Sequence, residues 1–328
     1  MNVVLNSWGL KLLAKAFFLV LIVVIGLQSI SVITLYGQAD KRILLPGIVS
    51  ELEKKQISID FGDTSKKITP ILKKAFSCHG AFRLSPPGKS QYVLRFTNST
   101  GNQVEVAVLT GNPQKIVKIL IASGSSEEEA ILKGSDKVVN YFLKTPGFFA
   151  GKISYISNLS GHKEIYVSNA LMTTSRPNTN FKKISFNASW DNQGNGLFFT
   201  SNRQLFNNIF YLNLITRKIS TVANYRGSNL SAVQNPRTKQ LAMILSGKRN
   251  PDVWIAASPT SKPKQLTRNK SNESGPCWSS DGRRLIVTSD SRGKPQLYEV
   301  SLSTGILTKI PTNVSSHCVE ASWNPLDP

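Results

Sequence analysis

A period of about 44 residues runs through the second half of the chain and restricts its fold more than any other feature. The first-strand positions that keep this period are Trp190, Gln234, Trp278 and Trp323. The second-strand positions are Ile153, Leu197, Leu241 and Leu285. The third-strand positions are Tyr166, Tyr211, Trp254 and Tyr298. A four-stranded repeat of about 40–45 residues is typical of a β-propeller blade, because such a unit cannot bury both faces alone.

The clearest copy of the repeat lies between Gly275 and Val300. It predicts a short extended piece at Pro276–Ser279, followed by strands at Leu285–Ser289 and Gln296–Val300. A hairpin turn at Asp281-Gly282 separates the first two, because glycine adopts a positive φ without steric cost.

Each strand type occurs four times, which predicts a ring of four blades. The repeat begins on the strand at Ile153 and ends on the strand Glu320–Trp323. We therefore expect Glu320–Trp323 to complete the first blade and close the propeller, which removes exposed strand edges.

The N-terminal residues predict export. Lys11 and Lys15 precede an apolar run, and small residues at Gly37–Ala39 suit a signal peptidase, so residues 1–39 are interpreted as a signal peptide. An uncleaved anchor stays open as the alternative, because Ala16–Tyr36 is nearly long enough to span a bilayer. Both interpretations place the rest of the chain outside the cytoplasm.

Residues 40–146 lack the repeat and predict a small α/β domain, followed by a β-propeller over residues 147–328. The predicted strands are Ile57–Phe61, Gln91–Thr97, Gln103–Leu109 and Lys115–Ala122. One helix is expected to start at Thr69-Pro70 and to end at His79. A second helix starts at Ser126, and Glu129 three residues later forms a capping box. The fold class is thus an α/β N-terminal domain plus an all-β propeller.

The net charge of +21 is spread along the chain rather than gathered in runs. A solvated basic surface is the simpler interpretation, and attraction to an anionic polymer is the alternative. Nucleic acid is not expected as a partner, since the chain is predicted to be exported and has no aromatic-basic strand motif.

No enzyme chemistry is predicted from the sequence. There is no Gly-x-Ser-x-Gly elbow, no His-Glu-x-x-His motif, and the three histidines lie far apart, so no catalytic, metal or cofactor site is expected. The recurring tryptophans are interpreted as packing between blades. Ser123–Ser126 is interpreted as a capping loop, with an anion site as the alternative. A disulfide between Cys277 and Cys318 stays open, with free thiols favoured.

The amino-acid sequence of the repeat resembles that of a known family. Cys277–Leu285 contains Trp-Ser-Ser-Asp-Gly and resembles the Trp-Ser-Pro-Asp-Gly blade of TolB propellers, with Ser280 in place of proline. Gly147–Tyr155 resembles the family's domain junction, and Glu320–Pro325 resembles its chain end. The likeness spans residues 40–328, although that family usually has six blades.

This resemblance implies a non-enzymatic periplasmic scaffold of the Tol–Pal system, which supports outer-membrane integrity and cell division, with the chain as a monomer. A peptidoglycan-associated lipoprotein would dock on channel-mouth loops ending at Asn187, Ala232, Gly275 and Glu320. A TolA-like inner-membrane protein would bind the N-terminal segment formed by Lys41, Arg42, Ile43 and Leu44. The alternatives are an exported accessory domain of a peptidase or other enzyme, or a binder of anionic polymer.

Overall fold

The computed structural model describes residues 56–99, 101–247, 249–312 and 315–324. The predicted signal peptide and the segment from Lys41 to Leu44 lie outside these ranges. Within them, no helix combines the length and the apolar character that a membrane span requires.

The N-terminal part is one mixed sheet covered on one face by two helices. Its elements are β1 (Ile57–Asp60), α1 (Thr69–Ser77), β2 (Phe82–Leu84), β3 (Tyr92–Ser99), β4 (Gln103–Thr110), β5 (Lys115–Ser123) and α2 (Glu127–Leu143). The strand order is β2-β1-β3-β4-β5, with β1 parallel to both of its neighbours. The helices bury Leu72 and Val139 against Val106 of the sheet, each fully buried. The predicted α/β sandwich is confirmed.

Both helices begin where the sequence indicates. Pro70 lies in the first turn of α1, where a missing backbone N–H breaks no helical hydrogen bond. In α2 the Ser126 hydroxyl accepts from the Glu129 N–H at 3.2 Å, and the Glu129 carboxylate accepts from the Ser125 N–H at 2.8 Å. The Glu129 carboxylate thus occupies donors at this helix end, and Ser123–Ser126 acts as the predicted capping loop.

The rest of the described chain forms four antiparallel sheets. The first contains β6 (Lys152–Ser157), β7 (Glu164–Asn169) and β8 (Arg176–Pro177). The second contains β9 (Ser185–Trp190), β10 (Gly196–Gln204), β11 (Phe206–Asn213) and β12 (Ile219–Ala223). The third contains β13 (Asn229–Gln234), β14 (Leu241–Leu245), β15 (Asp252–Ala256) and β16 (Lys264–Gln265). The fourth contains β17 (Glu273–Trp278), β18 (Leu285–Ser289), β19 (Gln296–Val300) and β20 (Leu307–Lys309).

The repeat positions hold these sheets together. Leu197, Leu241 and Leu285 are fully buried, and Trp278 packs against the preceding sheet while its indole Nε1–H donates to the Val233 carbonyl at 3.1 Å. The predicted packing role of this tryptophan is confirmed. Successive sheets pack in chain order through their first strands, β9 on β6, β13 on β9 and β17 on β13.

The C-terminal segment differs from the predicted closure. Residues 320–324 belong to no strand in the structure, and β6 pairs only with β7 in the described ranges, so the first sheet has three strands instead of four. The backbone donors of this segment for which hydrogen bonds are found are bonded to the fourth sheet and the loop after β18 instead of to β6. Its Glu320 N–H donates to the Thr288 hydroxyl of β18 at 3.1 Å, and its Cys318 N–H donates to the Pro295 carbonyl at 3.0 Å.

The junction between the two parts is held by a partly buried carboxylate. Asp136 of α2 accepts hydrogen bonds from the Phe149 N–H at 2.7 Å and the Ala150 N–H at 3.0 Å. Phe149 is fully buried, and its ring lies 5.3 Å from that of Phe76. The two-domain division after residue 146 stays a prediction, and any such junction is tied to the N-terminal core.

Candidate functional site

The first strand of each complete sheet has a bulge with a left-handed residue at its centre. The register of β9, β13 and β17 shifts against its neighbour, and the residues with positive φ are Asn187 (51°), Ser231 (47°) and Gly275 (54°). Glu320 in the C-terminal segment has the same conformation, with φ of 54°. Serine and glutamate in this region cost about 1–2 kcal/mol, so packing must enforce the geometry.

At two of these positions, Ser231 and Glu320, a second-strand threonine of the preceding sheet holds the left-handed residue. The Ser231 N–H donates to the Thr200 hydroxyl at 3.2 Å. The Glu320 N–H donates to the Thr288 hydroxyl at 3.1 Å. Thr200 and Thr288 occupy the same repeat position, so Glu320 is related to the fourth sheet as Ser231 is related to the second.

The four left-handed residues form a row along successive first strands, which we call the bulge row: Asn187, Ser231, Gly275 and Glu320. The Asn187 amide donates to the Ser231 hydroxyl at 2.8 Å. A Cβ at Gly275 would lie 3.2 Å from the carboxylate oxygens of Glu320, so this carboxylate lies close above Gly275. The row therefore offers an amide, a hydroxyl, a bare backbone position and a carboxylate.

The structure corrects the sequence-based site in two respects. Asn187, Ala232 and Gly275 lie inside strands β9, β13 and β17 rather than on loops. Ala232 is fully buried, whereas its neighbour Ser231 has the left-handed conformation and is partly exposed. A strict spacing of 44 from Asn187 leads to Ser231 and then to Gly275, and this signal was available in the sequence.

A layer of buried polar side chains lies beside these strands, which sequence reasoning missed. Glu164, Asn208, Asp252 and Gln296 occupy one repeat position at the start of the third strand, and all are buried. Glu164 accepts from the Thr179 hydroxyl at 2.5 Å and from the Phe181 N–H at 2.7 Å. Their spacing of 44 would have revealed them.

Asp252 of this layer, in the third sheet, lies beside a second buried carboxylate, Glu273 at the start of β17 in the fourth sheet. The Thr267 hydroxyl lies 3.3 Å from Asp252 Oδ1 and 3.0 Å from Glu273 Oε2, and it has a single hydrogen to share. Ser289 donates to Glu273 at 3.0 Å. Burial raises the pKa of Asp252. Burial raises the pKa of Glu273 as well, with a smaller contribution from the neighbouring Asp252 charge.

The histidines and cysteines of the described residues lie outside the bulge row, and the two cysteines nearest to it in sequence are only partly exposed thiols. No group of three or more His, Cys, Asp or Glu side chains in these ranges can hold a metal ion. Cys78, Cys277 and Cys318 are thiols without a disulfide, and burial raises the pKa of the Cys277 thiol, which disfavours the reactive thiolate. His79 stacks on Phe148 with ring centroids 5.5 Å apart.

Comparison with known proteins identifies relatives of one kind. A protein called Tol-Pal system protein TolB from Bordetella pertussis strain Tohama I is 22% identical over 232 residues, which cover 70% of this chain and 50% of that protein. The protein of the same name from Francisella tularensis subsp. holarctica strain OSU18 is 26% identical over 240 residues, covering 66% and 53%. The chain thus spans about half the length of the curated relatives it matches.

Solved structures show the same fold. The crystal structure of TolB from Acinetobacter baumannii superposes with a TM-score of 0.65 at 17% identity, covering 77% of this chain and 70% of that chain. A family model described as the TolB beta propeller domain matches residues 143–327, which is more than half of the chain. The chain therefore belongs to the TolB beta-propeller domain family.

Proposed function

We propose that this chain is a non-enzymatic scaffold of the Tol–Pal type in the periplasm. It would link inner-membrane Tol proteins to a peptidoglycan-associated lipoprotein, and so support outer-membrane integrity and cell division. The observation that carries this proposal is the bulge row, in which Asn187 bonds to Ser231 and Glu320 lies close to Gly275, all four with the same left-handed backbone. The names of the curated relatives support the Tol–Pal assignment.

The chemistry of the bulge row suits a folded protein partner. Asn187 and Glu320 are exposed, and their backbones are held by packing rather than by the partner. A preformed surface loses little conformational freedom on binding, so its hydrogen bonds contribute more of their energy to affinity. Backbone strain concentrated at these positions is also typical of binding sites. We propose that the lipoprotein binds to this surface.

The remaining parts take the roles expected of a linker protein. The N-terminal segment around Lys41 and Ile43 would engage a TolA-like inner-membrane protein after export. Residues 40–146 would form one domain and residues 147–328 the propeller. The basic excess of the chain would favour acidic surfaces of its partners.

The proposal is tested by the double substitution Asn187→Arg and Glu320→Arg. Both side chains are exposed, so the arginines add bulk and a charge change of three units to the bulge row. Affinity for the soluble domain of the peptidoglycan-associated lipoprotein from the same organism should fall at least about tenfold, or about 1.4 kcal/mol. Isothermal titration calorimetry measures this loss, and circular dichroism checks that the fold is retained.

A matched control places the same charge change elsewhere. Thr260→Arg with Glu105→Arg adds three units of charge at a propeller loop and at the N-terminal sheet, far in sequence from the bulge row. This control should bind like the parent. If both variants bind the lipoprotein equally well, the docking site lies outside the bulge row. If the parent does not bind the lipoprotein, the lipoprotein is not a partner of this protein.

A further inference from the structure

Among the described residues, strand β6 is paired on one side only, whereas the second strands of the other three sheets are paired on both sides. Strands β10, β14 and β18 each pair on one side with a first strand of their own sheet, namely β9, β13 and β17. β6 occupies the same position in its sheet, but in the described ranges it pairs only with β7. Its other side therefore presents backbone N–H and C=O groups as a template for one more strand.

Side-chain exposure along β6 shows the effect of the missing strand. Ile153 is 41% exposed, whereas its equivalents in the other three sheets, at Leu197, Leu241 and Leu285, are all 0% exposed. Ile156 is 42% exposed, whereas its equivalents at Thr200, Ile244 and Thr288 are at most 4% exposed. Two isoleucines of β6 are thus exposed to water at positions that are buried in the other three sheets.

The C-terminal segment, residues 316–324, shares features with the first strands of the sheets, although it is not part of any sheet. Glu320 carries the left-handed bulge and donates to Thr288 as Ser231 donates to Thr200. The backbone of Trp323 is hydrogen-bonded to the Cys277 thiol. The indole ring of Trp323 lies 4.8 Å from the Arg284 guanidinium. The interface between successive sheets therefore continues onto this segment, although it belongs to no strand.

We propose that the C-terminal segment of one copy pairs with β6 of a second copy. Each copy has one vacant edge and one segment of the complementary kind, so two copies related by a two-fold axis satisfy each other. The segment lies on the last sheet of its own chain while its edge reaches the partner's β6. This proposal replaces the monomer expected from sequence and does not depend on the lipoprotein.

The repeat gives the register of the pairing. In the second sheet Leu197 pairs with Trp190, and Thr200 pairs with Phe186. By repeat position, the same register places Ile153 opposite Trp323, and Ile156 opposite Val319. Val319 is itself 46% exposed, so the pairing would cover apolar side chains on both copies.

A single substitution creates a cross-link for this register. Ser201 pairs with Ser185, and their hydroxyl oxygens are 3.2 Å apart. The equivalent positions are Ser157 and the native Cys318, so Ser157→Cys places two thiols within disulfide reach. The other two cysteines are replaced by serine in every chain used.

The experiment separates pairing between copies from pairing within one chain. A tagged chain with Ser157→Cys and Cys318→Ser is mixed with an untagged chain that keeps Ser157 and Cys318, and the mixture is oxidised with glutathione. We expect a disulfide-linked heterodimer on a non-reducing gel, and none when Ser157 is restored in the tagged chain. Light scattering of the parent should give twice the mass of one chain.

Other results overturn the proposal. When Ser157→Cys and Cys318 are in one chain, a cross-linked monomer would show that the ring closes on itself. A parent of single-chain mass that gives no heterodimer would show that the edge of β6 stays open. A double-mass particle without the cross-link would place the contact between copies on another surface.

Discussion

Replacing Asp252 with asparagine should stabilise the protein above pH 5, and increasingly so as the pH rises. Asp252 and Glu273 are 3% and 1% exposed, and they share one threonine hydroxyl. None of the ion pairs found in the described ranges involves either carboxylate. Two buried carboxylates in contact cannot both ionise without a large cost, so the folded protein holds a proton that the unfolded chain releases.

The sign of the pH dependence follows from the raised pKa values. Burial raises the pKa of both carboxyls, so the folded state binds more protons than the unfolded state above the ordinary carboxyl pKa of about 4. The stability that this proton provides is fully present below that pH. It is lost as the pH rises through the folded pKa, by up to about 1.4 kcal/mol per pH unit for one proton.

An uncharged pair is found at the equivalent positions of the preceding repeat. Asn208 and Asn229 occupy the equivalent positions one repeat earlier, where the Asn229 amide donates to Asn208 Oδ1 at 3.3 Å. Asparagine is therefore compatible with the position of Asp252, and its amide can donate to Glu273. We expect the gain in stability of the variant over the parent to grow by at least about 1 kcal/mol between pH 5 and pH 7.

Urea unfolding followed by tryptophan fluorescence measures this gain, because Trp254 and Trp278 lie in the two sheets that carry the pair. The titration is repeated at half-unit steps from pH 4 to pH 8 for the parent and the variant. Parallel stability curves would show that the pair shares no proton, and a variant that loses stability relative to the parent as the pH rises would reverse the argument.

Three further changes test other contacts. Asp136→Ala removes the acceptor of two junction N–H groups, so limited proteolysis at Thr145–Ala150 should become at least severalfold faster on a gel time course; an unchanged rate would refute this anchoring role. Trp278→Phe leaves the Val233 carbonyl without its indole donor and should lower the unfolding free energy in urea by about 2 kcal/mol. Asp290→Asn should destabilise the protein at pH 7, and in the same urea titration this loss should shrink as the pH falls below about 4, the reverse of the Asp252 variant, because backbone and side-chain donors lower the pKa of Asp290.

Local signals in the sequence were sufficient for most of the fold. The strands Leu285–Ser289 and Gln296–Val300 were predicted with the bounds that the structure has, because alternating apolar residues and an Asp-Gly turn act over a few residues. The cap at Ser126 followed for the same reason, since its partner Glu129 is three residues away. The repeat itself was evident from spacing alone, and the TolB family was suggested by the resemblance of the motif in Cys277–Leu285.

Other features depended on contacts between residues far apart in sequence. Spacing marks Ser231 as the row position in β13, but its left-handed conformation depends on a bulge whose backbone N–H is held by Thr200 of the preceding sheet. The acidic pair of Asp252 and Glu273 forms only where two sheets meet.

The C-terminal segment shows the difference most clearly. Its sequence places Trp323 at the repeat position of a first strand. Sequence did not determine which neighbour it joins, because its face and its edge are both able to make contacts. The tertiary structure places the segment on the fourth sheet through Thr288, and in the described ranges β6 pairs only with β7, because pairing across the ring depends on the arrangement of all the sheets and not on any local signal.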